Sequence, residues 1–412
     1  MNLYIFNETR RGAVYGVGTY IRELTDALKN SHINVCVINL MSDKPQIQME
    51  EVDGVGHWYF PAPKSERRTM DYQKQRELYH YNVVYLLQLH IDDKKDLIFH
   101  LNFTTTYKFV ESLRKSFDCK IVTTIHFTDW GFAIYDNLQP FRNILNEEPA
   151  DNFSENLKKT VEEEKLYYSK LDHAICVSFY LYEILCQDYR LKPANTTFIP
   201  NGLVDMVNTQ VNRSLLRKKW HLSGKEKIIL FAGRMNEVKG LNYLIRAFRE
   251  VLTRFPNCSM IIAGNGDYDT YLSGAKDICS KIIFTGFLEN KKLYELYHLA
   301  DVGVMPSLFE PFGYVAAEMM MHGLPIVTTA TSGLNEVVDD TCGLKIPLIQ
   351  TPDRVEIDTD LLAEKIICLL QHPVEAKKMG RNGRKRFLKE YSSEIFRKNM
   401  IQFYESLLFE YI

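Results

Sequence analysis

Arg234 and Lys239 stand close together in Phe231-Ala232-Gly233-Arg234-Met235-Asn236-Glu237-Val238-Lys239-Gly240, between a strand-like apolar run and a helical pattern. Gly233 permits a tight turn and close backbone approach there. Both cations then lie at the mouth of a strand, near a helix N-terminus whose free N–H groups also favour anions. Such an arrangement could hold a diphosphate without a metal; the plain alternative is two solvated cations beside a structural glycine. Glu310 and Glu318 stand eight positions apart in Pro306-Ser307-Leu308-Phe309-Glu310-Pro311-Phe312-Gly313-Tyr314-Val315-Ala316-Ala317-Glu318. The first falls in the loop after a strand at Val302–Met305, the second about one turn inside the next helix. Gly313 opens that helix, so the N–H groups of Gly313, Tyr314 and Val315 point into the same crevice. A carboxylate suits two sugar hydroxyls because each oxygen has spare lone pairs. Carboxylates for hydroxyl pairs beside a helix N-terminus for phosphate meet the needs of a sugar-nucleotide site. A buried ion pair for Glu318 and a plain loop carboxylate for Glu310 are the alternatives.

Gly16-Val17-Gly18-Thr19-Tyr20 follows the first strand and starts a helix. The dinucleotide pattern G-x-G-x-x-G fails here, because Ile21 takes the third glycine's place, and no acidic residue ends a second strand. A nicotinamide reading loses ground accordingly. His126 ends the strand-like run Lys120–Ile125, at the carboxyl end where open sheets place ligands.

The elements that must position these residues alternate between short β-rich runs and helical patterns. Strands are expected at Leu3–Asn7, Val35–Leu40, Leu97–Leu101, Lys120–His126 and His173–Val177, then at Ile228–Ala232, Ser259–Ala263, Lys281–Thr285, Val302–Met305 and Pro325–Thr328. Helices are expected at Tyr20–Asn30, Tyr107–Phe117, Leu241–Arg254, Lys291–Ala300 and Tyr314–His322. Strands apolar on both faces and alternating with helices mean parallel sheets of βαβ units. Two such series imply two doubly wound α/β domains, 1–200 and 201–390. Phe198-Ile199-Pro200-Asn201-Gly202 is turn chemistry at their boundary and a plausible hinge. Val52–Tyr81, with Pro61, Pro63, Arg67 and Arg68, and Asp129–Glu164, with Trp130 and the acidic run Glu162–Glu164, read as long irregular excursions. Such segments often form lids or binding loops; for the acidic run a solvated face is preferred.

The chain has 412 residues, 46% hydrophobic and 25% charged, with a net charge of −2. The first 200 residues hold 23 cations and 27 carboxylates and the rest 27 and 25, a mild offset toward anion binding in the second part. This balance excludes a histone-like nucleic-acid binder, a disordered chain and a disulfide-stapled mini-domain. The eight cysteines are scattered without a CxxC pair and read as buried thiols in a reducing compartment, not as a metal site. The N-terminus lacks a leader pattern, and no apolar run approaches the ~20 residues that span a bilayer. A cytoplasmic location is expected.

Together these pieces resemble the retaining glycosyltransferases of family 4. The resemblance rests on Ile199-Pro200-Asn201-Gly202, Phe231 through Gly240, Ile261-Ile262-Ala263-Gly264-Asn265-Gly266, Phe284-Thr285-Gly286-Phe287 and the Glu310/Glu318 pair, over about residues 199–390. The first half contributes only Gly16/Gly18, His126 and Val177-Ser178. The resemblance implies the GT-B fold: two Rossmann-like domains facing across a cleft, the first for acceptor and the second for nucleotide-sugar. A C-terminal helix of about 391–412 would pack back on the first. It implies that Arg234 and Lys239 neutralise the donor diphosphate, helped by Gly233 and the backbone of Phe312, Gly313, Tyr314 and Val315. Glu318 would hold the ribose, Glu310 the donor sugar, and the backbone at Gly286 and Phe287 the base. Gly16 and Gly18 would let a loop approach the donor, and His126 would contact donor sugar or acceptor. Pro311 stands where the family often has glycine, and Ser332-Gly333-Leu334-Asn335-Glu336 matches the family's Gly-Gly-x-x-Glu only in part.

The resulting expectation is a retaining, metal-independent enzyme with no cofactor. It would use a nucleotide-sugar, UDP favoured on family grounds, and transfer to a glycan, lipid-linked glycan or peptide. Closure about Asn201-Gly202 should accompany donor binding. Trp58, Tyr59, Phe60, Phe127, Trp130 and Phe132 could form an acceptor platform or simply pack the domain. Arg381, Arg384, Lys385, Arg386 and Lys389 allow at most peripheral membrane contact, a solvated helix face being the better reading. The alternatives are a GT-B nucleotide-sugar epimerase, which would consume donor without acceptor, and a catalytically silent partner subunit.

Overall fold

Apolar strands buried on both faces set the architecture, seen in a computed structural model that describes residues 1–9, 16–63, 72–93, 95–103, 106–207 and 211–408. The chain divides into two units: Met1–Phe127, Ile144–Gly202 and Ser393–Ile412 form the first, Thr128–Asn143 and Leu203–Ser392 the second.

The first unit holds β1 (Asn2–Glu8), β2 (Asn34–Ser42), β3 (Gln48–Val52), β4 (Val55–Pro61), β5 (Leu97–Leu101), β6 (Cys119–Ile125), β7 (His173–Cys176) and β8 (Thr196–Phe198). They form one sheet of order β3-β4-β2-β1-β5-β6-β7-β8. Every pair is parallel except the β3–β4 hairpin. Leu3, Ile5, Phe99, Leu101 and Ile121 are buried at its centre. Helix Gly16–Leu28 covers it with Tyr20, Leu24 and Leu28, and helix Ser393–Leu408 adds Phe396, Met400, Phe403 and Tyr404. The end of the expected terminal helix, 409–412, lies outside the described residues.

The second unit holds β9 (Lys227–Ala232), β10 (Cys258–Ala263), β11 (Ile282–Gly286), β12 (Val302–Met305), β13 (Ile326–Thr329) and β14 (Gly343–Ile346). This sheet is parallel throughout, in the order β11-β10-β9-β12-β13-β14. The chain runs outward from β9 to β11, then returns to lay β12 on the other side of β9. That reversal creates a switch point at the carboxyl ends of β9 and β12, where open α/β sheets place ligands. Helix Leu241–Arg254 packs Leu241, Leu244, Ile245, Phe248 and Val251 into the core, an i, i+3, i+4, i+7 stripe. A hairpin of β15 (Leu348–Thr351) and β16 (Arg354–Ile357) follows.

Several expectations need correction. Thr128–Asn143 joins the second unit, although it precedes residue 200. Gly131 allows this, because a Cβ there would lie 2.4 Å from the Phe309 ring. Asn137 Nδ2 donates to the Thr351 carbonyl at 2.7 Å, and Ser332 Oγ donates to Asp136 Oδ2 at 2.6 Å. The two stretches read as irregular are largely regular. β4 and helix Tyr72–His90 occupy much of Val52–Tyr81, and helices Asp129–Ala133, Leu138–Asn146 and Asn152–Tyr168 fill the other. Arg67 and Arg68 lie outside the described residues. In the acidic run Glu164 is buried and accepts from the Tyr189 hydroxyl at 2.5 Å, so that run is not uniformly solvated. Only Cys176, Cys258 and Cys342 are buried thiols, and Cys279 is exposed. Arg381, Arg384, Lys385 and Arg386 stand on helix Pro373–Arg386, ahead of the terminal helix, and Arg386 turns inward to the carbonyls of Glu336 and Val337.

Candidate active site

The loops leaving β9 and β12 are held together by backbone before any side chain is considered. Leu308 N–H donates to the Val238 carbonyl at 2.7 Å. Gly240 sits at φ +66°, and a Cβ there would lie 1.8 Å from the Pro306 carbonyl oxygen, so only glycine permits the approach. The β12 loop is fixed further by Thr331 Oγ1 donating to the Leu308 carbonyl at 3.0 Å. Leu334 N–H, within the imperfectly matched Ser332–Glu336 stretch, donates to the Glu310 carbonyl at 3.1 Å. As a result Lys239 Nζ and Glu310 Oε2 meet as an ion pair, their side chains 19% and 13% exposed.

Gly313, at φ +98°, turns the chain into helix Tyr314–Met321. A Cβ there would stand 3.0 Å from Leu334 Cδ1 and 3.4 Å from Glu310 Cγ, so the helix starts directly beside Glu310. Further along that helix the Tyr297 hydroxyl donates to Glu318 Oε2 at 2.7 Å. Tyr297 is buried, and burial, with the neighbouring carboxylate, holds its phenol well above the usual range. Phe312 is also buried, edge-on to Tyr314 and Tyr391, so its ring serves packing and leaves only backbone for a ligand. Gly233 N–H bonds the Ala263 carbonyl and Gly264 N–H the Gly286 carbonyl, both at 2.9 Å, which aligns the three loops. Arg234 and the Phe287 ring are exposed.

One unit therefore gathers two cations, two carboxylates and a helix start at the switch point of a parallel sheet. The Glycosyltransferase Family 4 signature matches residues 14–205, and Glycosyl transferases group 1 matches residues 212–386. The chain belongs to glycosyltransferase family 4. An uncharacterized glycosyltransferase of Methanocaldococcus jannaschii is 37% identical over 174 residues, covering 40% of this chain and 44% of that protein. This chain spans about half the length of the curated relatives it matches. Among solved structures, sucrose-phosphate synthase from Thermosynechococcus elongatus superposes with a TM-score of 0.77 at 20% identity, over 98% of each chain. Anabaena HepE in complex with UDP-glucose gives 0.70 at 15% identity, over 98% of this chain and 100% of that one. These likenesses show the GT-B fold.

The remaining expected residues of this family 4 chain lie in its first unit. Gly16 and Gly18 occupy the first turn of helix Gly16–Leu28, a helical position and not a loop. His126 follows β6 directly; its Nε2 lies 3.1 Å from Asn102 Oδ1 and its ring stands edge-on to Tyr20 at 4.7 Å. Burial lowers its pKa to about 3, so the ring is neutral near pH 7. Nε2 then carries the proton and donates to Asn102. Beside it, the Tyr20 hydroxyl and His100 Nε2 converge on Thr124 Oγ1 at 2.9 and 2.7 Å, and His100 Nδ1 meets the Tyr404 hydroxyl at 2.6 Å.

Of the six aromatics, Phe60 and Trp130 are buried, Trp130 stacking on Phe141 at 3.9 Å, so neither can face an acceptor. Phe132 meets Phe309 edge-on at 4.9 Å, while Trp58 lies edge-on to Tyr4 at 6.0 Å and Phe127 stays exposed. Lys44 stands over the Tyr59 ring. The residue that sequence reasoning missed is Tyr297, the donor to Glu318. A tyrosine in an amphipathic helix gives no signal beyond that of a core residue.

Proposed function

We propose that this chain is a retaining glycosyltransferase that moves a sugar from a nucleoside-diphosphate sugar, UDP favoured, to a hydroxyl on a glycan, lipid-linked glycan or peptide. The meeting of Lys239 and Glu310 at the switch point carries this reading. It sets a cation for a diphosphate and a carboxylate for sugar hydroxyls at adjoining positions. Anabaena HepE, of the same fold, was solved with UDP-glucose, which favours the uridine donor.

Arg234 and Lys239 would stabilise the charge that builds on the departing diphosphate, together with the N–H groups at Gly313–Val315. This electrostatic term could replace a metal ion. Glu318, oriented by Tyr297, would hold the ribose hydroxyls, and Glu310 would orient the sugar. The base would lie at Gly286 and Phe287. In the transfer the bond from the anomeric carbon to the phosphate oxygen breaks, and the bond to the acceptor oxygen forms on the same face. The acceptor's proton passes to the leaving phosphate oxygen. Gly16, Gly18 and His126 enter this reading only through the family resemblance, His126 as a neutral hydrogen-bonding group.

A thermal-shift panel of nucleotides and nucleotide sugars, followed by transfer assays with and without EDTA, tests the proposal. A bound donor raises the melting temperature by mass action, and turnover is expected to survive the chelator. No shift with any nucleotide would favour a silent partner subunit, and donor consumption without acceptor would favour an epimerase. Wild-type turnover in Arg234→Ala and Glu318→Ala would overturn the site assignment.

A further inference from the structure

The second unit contains a cavity of about 590 Å³ that counts none of Arg234, Lys239, Glu310 and Glu318 among its lining residues. Its lining includes Lys227, Asp301 and Pro325, which begin or immediately precede β9, β12 and β13. It therefore opens at the amino ends of the strands, the opposite edge of the sheet from Arg234 and Glu310. Met321, Leu324, Leu369 and Leu370 give it an apolar wall.

Its charged rim is unbalanced. Arg213 and Lys227 are paired with Asp301, and Arg384 with Asp205. Lys377, Arg381 and Lys385 also line the cavity, are exposed, and pair with no carboxylate among the described residues. They follow one another at four-residue spacing on helix Pro373–Arg386 and so share one face. Like charges at that spacing repel by a few tenths of a kcal/mol per pair. An anion seated over them would relieve that repulsion and form charge-assisted hydrogen bonds. An inorganic ion alone would leave the apolar wall uncovered.

We propose that this cavity binds a phosphate monoester with an apolar body, the phosphoryl group on Lys377, Arg381 and Lys385 and the body against Leu324, Leu369 and Leu370. Binding here does not depend on the transferase reading. Its consequence for that reading is direct, because two cavity-lining residues also hold Glu318. Tyr297 donates to its carboxylate, and His322 Nδ1 bonds its carbonyl at 2.8 Å. His322 Nε2 is buried without a partner, so the ring is anchored by hydrogen bonding on one side only.

Calorimetric titration of the full chain with octyl phosphate, octyl glucoside and inorganic phosphate tests the site. Saturable binding of octyl phosphate is expected, with neither control matching it. The Lys377→Ala/Arg381→Ala/Lys385→Ala variant, altered only at exposed positions, should bind at least about tenfold more weakly, as loss of charge-assisted bonds requires. Equal affinity for octyl glucoside, equal affinity for inorganic phosphate, or an unchanged triple variant would each overturn the proposal. Flotation with phosphatidylcholine vesicles containing phosphatidic acid identifies the source. Vesicle binding lost in the triple variant assigns the site to a lipid phosphate, whereas octyl phosphate binding without flotation assigns it to a soluble ester.

Discussion

Lys239 and Glu310 hold each other across the carboxyl ends of β9 and β12, neighbouring strands between which the sheet order reverses. Their separate motifs imply separate tasks, diphosphate and sugar. The contact makes them one unit: on the proposed reading, a bound diphosphate would share the Lys239 ammonium with the carboxylate that orients the sugar.

Lys239→Ala and Glu310→Ala are each expected to lower kcat by about 10²–10³, the usual cost of losing one preorganised electrostatic group. The double variant should be little worse than either single one, because groups acting as a unit are not additive. Steady-state transfer rates of the three variants check this. Effects that multiply in the double variant would show that the residues act separately.

Tyr297→Phe keeps the buried ring and removes only the bond to Glu318. A hydrogen bond to a charged group contributes ~1.5–3 kcal/mol, so nucleotide affinity should fall by about tenfold or more. Calorimetry with UDP measures it, and an unchanged Kd would detach Tyr297 from the donor site. The melting temperature should move little, since the packing is retained.

How far the sequence revealed this arrangement depends on where each signal resides. β5, β12 and helix Leu241–Arg254 have the bounds their patterns predict, because a short, mostly apolar run or an uninterrupted helical stripe leaves no competing period. The β3–β4 hairpin escaped notice because β3 is mostly exposed and lacks alternation. Position in the chain puts Thr128–Asn143 with the first domain, whereas its place is decided by Phe309 and Thr351, far along the sequence. The charged residues of the candidate site stand out in their motifs. Their mutual pairing was not, since it depends on how closely Gly240 approaches Pro306.

Gly240→Ala should therefore disable the site without dismantling the sheet. The new Cβ would overlap the Pro306 carbonyl, and alanine at φ +66° is itself disfavoured by about 1 kcal/mol. The loops must separate, carrying Lys239 away from Glu310. Far-UV circular dichroism should be unchanged while turnover falls at least about tenfold. Normal turnover would mean that the loop spacing does not matter to the reaction.

His80 supplies a test of the first unit that is independent of catalysis. The ring is buried against Phe109, at 4.4 Å, and its Nδ1 has no partner. Burial, with the Arg76 charge nearby, lowers its pKa from 6.5 to about 3. Between these values the unfolded chain binds a proton that the native state refuses, so stability must fall as pH drops below about 6.5. One such group contributes about 1.4 kcal/mol per pH unit, or about 2 kcal/mol between pH 6.5 and 5. Phenylalanine fits the same stacking position, carries no buried orphan nitrogen and does not titrate. His80→Phe is thus expected to match or exceed the wild type near pH 7, and to gain on it by about 2 kcal/mol by pH 5. His100 and His126, also lowered to about 3, leave the variant with a residual slope of the same sign. Urea unfolding across that range measures the difference, and parallel pH profiles for the two proteins would show that His80 does not stay neutral in the native state.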